Sequence, residues 1–153
     1  MRYQKHPYSC GAAAVVNAVR CFGKRVAEMK VRSFSSTTKE DGTDEHGIIA
    51  ALRGLGHDGE SFSTGSKDAA LDRLFVSLAD GHPVIICTQN MQHWITVIGY
   101  IGVDSGNIMY VVADPTNTQR NKEENGVHVL SPKLLKKSWQ ARDGKYFGIR
   151  CIR

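Results

Sequence analysis

Apolar positions fall at helical spacing in the first half of the chain and in short continuous runs in the second. Over residues 10 to 22, Ala12, Ala13 and Ala14 favour helix, while Val15, Val16, Val19 and Phe22 form an apolar stripe. Ser9 stands at the N-cap position and Gly23 at the stop. Val26 to Ser33 predicts a second short helix. The polar stretch Ser35 to Gly42 predicts a loop. A third helix, capped by Thr43 or Asp44, runs through Ile48, Ile49, Ala51 and Leu52 to Gly54–Gly56. Glu60 to Thr64 suits a short strand, and Lys67 to Leu78 an amphipathic helix. Thereafter the period changes. Val84–Thr88, Trp94–Tyr100 and Ile108–Ala113 read as strands, the last two joined by a turn at Asp104–Asn107. Val127–Leu130 and Gly148–Ile152 are short late strands, with Leu134–Trp139 a short helix. Helices first and an antiparallel sheet afterwards make an α+β pattern.

The chain has 153 residues, so one domain is expected over residues 1–153. Hydrophobic residues are 41% and charged residues 23%, a composition able to form a core rather than stay disordered. The longest apolar runs, Pro83–Cys87 and Trp94–Ile98, are too short to span a bilayer. The N-terminus has no apolar stretch of signal-peptide type, which implies a cytoplasmic location. Net charge is +5, but the basic residues are scattered apart from Lys133, Lys136 and Lys137, which read as a solvated helix face. No nucleic-acid-binding signature accompanies them, so no nucleic-acid partner is expected. The four cysteines have no CxxC spacing, which argues against zinc. Cys21, Cys87 and Cys151 sit in apolar runs and read as buried inert thiols.

Cys10 has different neighbours, Tyr8-Ser9-Cys10-Gly11-Ala12. At the first turn of a helix, the partial positive charge of the N-terminus lowers a thiol pKa and favours the nucleophilic thiolate. Gly11 beside it would let a substrate backbone approach. The same segment also fits a small hydrophobe opening a buried helix. His93 precedes the strand Trp94–Tyr100, where a rigidly held imidazole suits a general base. Asp114 follows the partner strand, and pairing back from the intervening turn brings it near His93. A carboxylate there fixes the imidazole tautomer and stabilises the imidazolium; the alternative is that Asp114-Pro115 only starts a turn. Gln4, six residues before Cys10, carries an amide able to donate to an oxyanion together with the Cys10 N–H.

In this order, Gln4, Cys10-Gly11-Ala12-Ala13, His93 and Asp114-Pro115 resemble the bacteriocin-processing peptidases, the double-glycine leader peptidases. Thr37-Thr38, Asp41-Gly42-Thr43 and the helix to Gly54-Leu55-Gly56 are similar to that family's stretch between its first helices. The resemblance implies a papain-like fold, with Cys10 as nucleophile, His93 as base, Asp114 as orienting acid and Gln4 as oxyanion donor. It also implies a peptide or protein substrate cut after small, Gly-Gly-like residues, with no metal or organic cofactor. Family members usually precede the membrane and ATPase domains of a transporter. No Walker sequence appears here, which points to a stand-alone form associating with a separate transporter or another partner. Ser9 stands where the family usually has an acidic residue.

Two other readings stay open. A papain-like deamidase or acyl-transfer enzyme would use the same residues, and a non-catalytic peptide-binding module would keep only the fold. Intact Cys10, His93 and Asp114 weigh against the module. His6, His46, His57, His82 and His128 show no metal-ligand spacing, and Trp94 reads as core.

Overall fold

A computed structural model describes residues 1–139 and 143–153. Its first helix, α1 (Cys10–Cys21), is buried on every side from Cys10 to Val19. The expected apolar stripe therefore widens to burial all round, Asn17 being the polar member of that stretch, as suits a helix with neighbours on all faces. On one side lie α2 (Glu28–Ser35) and α3 (Glu45–Gly54); on the other lies the sheet. Asp44 caps α3, its carboxylate accepting from Gly47 N at 2.7 Å. Ser9 does not cap α1. Its hydroxyl bonds back to His6 instead, accepting from His6 N and donating to His6 O, both at 3.1 Å.

The strands are β1 (Asp58–Thr64), β2 (Val84–Thr88), β3 (His93–Ile101), β4 (Met109–Ala113), β5 (Val127–Leu130) and β6 (Tyr146–Ile152). They form one six-stranded sheet in the order β1-β6-β2-β3-β4-β5, with every neighbouring pair antiparallel. The sheet is apolar on both faces in its middle. Ile85, Cys87, Trp94 and Ile149 face α1 and its companions. Ile86, Ile95, Val97 and Val112 face α4 (Lys67–Ala79) and α6 (Pro132–Trp139). This explains why the Val84–Thr88 run does not alternate: all five residues are buried. A short helix, α5 (Gln119–Glu123), lies between β4 and β5. Its polar sequence gives no apolar period, and the sequence reading missed it. No helix among the described residues is long and apolar enough to cross a membrane.

Residues 1–9 form an arm strapped to the folded body. Asn17 of α1 accepts from Arg2 N at 2.7 Å and donates to Arg2 O at 3.1 Å. The buried Glu28 carboxylate accepts from Lys5 N at 3.1 Å. Gln4 N donates to Pro115 O at 2.8 Å, and Asn117 Nδ2 donates to Gln4 O at 3.0 Å. The arm thus ties the start of α1 to the loop after β4.

Candidate active site

Three elements meet at the end of the sheet. α1 presents Cys10 at its first residue, β3 presents His93 at its first residue, and the chain leaving β4 presents Asp114. Register explains the meeting. Thr96 pairs with Ala113, and extending that pairing sets Ile95 opposite Asp114 and His93 opposite Thr116. Side chains alternate along strands, so His93, Asp114 and Thr116 share one face. His93 Nε2 lies 2.8 Å from Asp114 Oδ1 and 3.1 Å from Thr116 Oγ1. Cys10 and His93 lie near enough for each to shift the other's titration, so thiol and imidazole form a coupled pair. Just before His93, Gln89, Asn90 and Met91 all adopt left-handed φ values of 52°, 57° and 71°. Such backbone is unfavourable for residues with a Cβ, so this turn is held by its surroundings. Gln89 N, for example, donates to Ser138 O at 3.1 Å.

Electrostatics follow from these bonds. Burial pushes the Cys10 thiol up. Hydrogen bonds to His93 and to the Trp94 and Gly11 backbone, with the His93 charge, outweigh it and bring the thiol below its ordinary value. For His93, burial favours the neutral ring, but Asp114 and Cys10 together raise it to about 9. For Asp114, burial opposes ionisation, and His93 and Thr116 bring the carboxyl down to about 2. A thiol brought below its ordinary value, beside an imidazole held by a carboxylate, is the arrangement that can attack an acyl carbon and then protonate a leaving amine.

The other thiols differ. Burial raises Cys87 and Cys151 to about 12. Cys21 is exposed at the end of α1, not buried as its neighbours suggested, because the last turn runs past the edge of the core. Its thiol is nevertheless held above the ordinary value by desolvation.

Gly11 has another job than the one read from the sequence. A Cβ on it would stand 2.7 Å from Thr43 Cβ and 3.2 Å from Trp94 Cδ1. The missing side chain therefore seats the loop before α3 on the helix start, rather than opening a path to solvent. Trp94 is core, and its Nε1 donates to Thr43 O at 2.8 Å. Gln4 is half-buried on the arm, with Nε2 donating to His6 O at 2.9 Å and Pro7 O at 3.1 Å. Its Oε1 is buried without a partner. His46 is exposed in the first turn of α3.

Sequence reasoning missed the residues around Asp114. Thr116 donates to Asp114 Oδ1 from its N at 2.9 Å and bonds it through Oγ1 at 2.7 Å. A Thr two residues after an Asp is a turn signal that could have exposed this. Asn121, His128 and Glu124 lie behind that turn. The alternation of Val127-His128-Val129-Leu130 already puts His128 on one face with Leu130, and β5 pairing sets it opposite Val112.

The chain matches the model of the Peptidase_C39 like family over residues 1–146. Among curated proteins, no sequence matches it. Its fold is similar to the peptidase domain of Streptococcus ComA, described as a bifunctional ABC transporter involved in a quorum-sensing pathway. That match has a TM-score of 0.70 and 21% identity, covering 99% of this chain and 96% of that one. A double-glycine-motif protease from an AMS/PCAT transporter, solved with its leader peptide, matches at TM-score 0.70 and 16% identity, over 98% of this chain and 88% of that one. UfSP from C. elegans matches at 0.68 and 13% identity, over 99% of this chain and 32% of the other.

Proposed function

The chain belongs to the Peptidase_C39 like family and is a papain-like cysteine peptidase; we propose that it cuts a peptide bond with Cys10 as nucleophile, His93 as acid and base and Asp114 as the orienting carboxylate. The observation that carries this reading is the 2.8 Å bond from His93 to Asp114, with Cys10 coupled to the same imidazole. Cys10 thiolate adds to the carbonyl carbon. The oxyanion accepts from the Cys10 N–H, which has no partner within its own helix, and from Gln4. His93 protonates the leaving amine, then takes a proton from water as that water attacks the thioester and frees Cys10.

The substrate proposed is a leader peptide cut after small residues, as in the double-glycine-motif protease of similar fold. A steric point supports it. Cys10 is only 8% exposed, so a carbonyl flanked by small residues reaches its sulfur with the least displacement. The test is a peptide library analysed by mass spectrometry, with Cys10→Ala as control. Cleavage clustered after Gly-Gly or Gly-Ala, lost in Cys10→Ala, is expected. Deamidation of glutamine without chain scission would move the chain to a deamidase role.

A further inference from the structure

Beside the Asp114 turn, a cavity of about 480 Å³ is lined by His93, Asp114 and Thr116 together with Asn121, Glu124 and His128, of which the last three take no part in the chemistry above. Asn121 of α5 is one of these lining residues and is 7% exposed. Its Nδ2 donates to Asp114 O at 3.0 Å and to Thr116 O at 2.7 Å. Its Oδ1 accepts from His128 Nε2 at 2.6 Å. His128 Nδ1 lies 3.1 Å from Glu124 Oε2, and Glu124 also faces Arg120 at 3.6 Å. Both amide hydrogens and the amide oxygen of Asn121 are therefore occupied. Flipping the amide would press its oxygen against two carbonyls, so its orientation is fixed.

The two carbonyls that Asn121 holds bracket Pro115, and the Asp114 side chain springs from between them and β4. Strand pairing ends at Ala113. Beyond it, the turn's other backbone anchors are Asp114 N to Gly126 O at 2.9 Å and the Gln4 bond to Pro115. Gly126 N in turn donates to Asn121 O at 2.7 Å, so α5 closes on itself around the turn.

We propose that Asn121, held in place by His128, is the positioning residue that aims the Asp114 carboxylate at His93. The inference rests on the reading that Cys10, His93 and Asp114 perform the reaction. Misplacing a group in such a line by about 1 Å costs on the order of 10²-fold in rate. A role through position alone also leaves a mark on Cys10: a carboxylate turned away from His93 weakens the imidazolium, and with it the thiolate. The groups facing His93 are Cys10, Asp114 and Thr116, and those facing His128 are Asn121 and Glu124.

The experiment uses the full chain and three variants: Asn121→Ala, His128→Leu and His128→Gln. Each is followed by peptide turnover, thermal unfolding and the rate of Cys10 alkylation by iodoacetamide across pH. Asn121→Ala is expected to lose roughly 10- to 10²-fold in turnover per folded molecule, with its alkylation midpoint moved up towards that of an ordinary thiol. His128→Leu moves the same way by less, and His128→Gln, whose amide can make the same donation to Asn121, stays close to the parent. An unchanged alkylation profile in folded Asn121→Ala, or a turnover loss that only follows the folded fraction, overturns the proposal. If Asn121→Ala does not fold, an alkylation profile of His128→Leu identical to the parent overturns it. A parent chain that alkylates normally but cuts no peptide would sink the functional reading alone, since the alkylation comparison still decides the positioning role.

Discussion

Asp114 Oδ1 takes the His93 ring at 2.8 Å while the same oxygen accepts from Thr116 N and bonds Thr116 Oγ1. One carboxylate oxygen is thus the hub of the site, and its bond and charge, together with Cys10, raise His93. Asp114→Asn retains an acceptor oxygen and the shape but loses the charge. Turnover should fall by ~10- to 10⁴-fold, the upper end being the serine-protease precedent for this substitution. Unfolding midpoints should move little by comparison. Unaltered turnover would remove Asp114 from the site.

The pH profile carries the sign of each shift. His93 is raised to about 9 in the fold, above the free value near 6.5. Its charged partnership is fully present below about pH 6.5 and is lost as pH rises through about 9. Asp114 is depressed to about 2, so its contribution is present above about pH 4 and is lost only as pH falls through about 2. Turnover should rise with formation of the Cys10 thiolate, below the ordinary thiol range, and decline as pH passes about 9. In Asp114→Asn the alkaline decline should begin at lower pH. An identical alkaline limb in both proteins would contradict the coupling of His93 to Asp114.

Thiol labelling separates Cys10 from the other three cysteines. Cys10 alone combines a depressed pKa with a partner base, whereas Cys87 and Cys151 are buried and raised to about 12. Iodoacetamide at about pH 7 should alkylate Cys10 first, with Cys21 slower despite its exposure because its thiol is held protonated. Peptide mapping reads the order directly. Equal rates at Cys10 and Cys21 would mean that the His93 partnership does not activate the thiol.

Much of this was legible in the chain. Helical spacing in α1, the five-residue run of β2 and the β3–β4 hairpin placed Cys10, His93 and Asp114 together, because strand register is strict wherever a face is buried. What stayed hidden depends on tertiary contact. The burial of α1 on all sides comes from α2, α3 and the sheet together, which a single-helix period cannot report. Helix α5 is polar and only five residues long, so Asn121 gives no local signal until the Asp114 turn is in view. At Gly11 the sequence suggests close approach of a substrate backbone, whereas the space a side chain would need there is taken by Thr43 and Trp94. Both readings suit a glycine at a helix start, and only the neighbours decide.

Gly11→Ala tests that seat. The added methyl meets Thr43 Cβ at 2.7 Å and must displace the loop or Trp94. Overpacking of this kind costs ~1–3 kcal/mol, against a small gain in helix propensity. Urea unfolding should show the loss, and turnover should fall with it, since Trp94 adjoins His93. A Gly11→Ala protein as stable as the parent would mean that the loop yields freely.

Gln4→Ala decides between an oxyanion donor and a strap. The motive for the first is the arm's course beside Asp114-Pro115 and the position of Gln4 six residues before Cys10. The motive for the second is that both Nε2 hydrogens have carbonyl acceptors on the arm itself, at His6 and Pro7. Donation to an oxyanion requires Gln4 to release one of them, and the negative charge developing on that oxygen supplies a stronger acceptor than either carbonyl. Loss of one such donor costs on the order of 3 kcal/mol of transition-state stabilisation, a rate factor near 10²–10³. The interaction exists only in the tetrahedral state, so kcat should fall with KM nearly unchanged. Alkylation of Cys10 forms no oxyanion and should keep its rate. A strap behaves otherwise: the arm loosens, thermal unfolding shifts down, and activity follows the folded fraction. Turnover, alkylation and unfolding measured on one sample separate the two. A destabilised Gln4→Ala with full activity per folded molecule would assign the second oxyanion donor to another group.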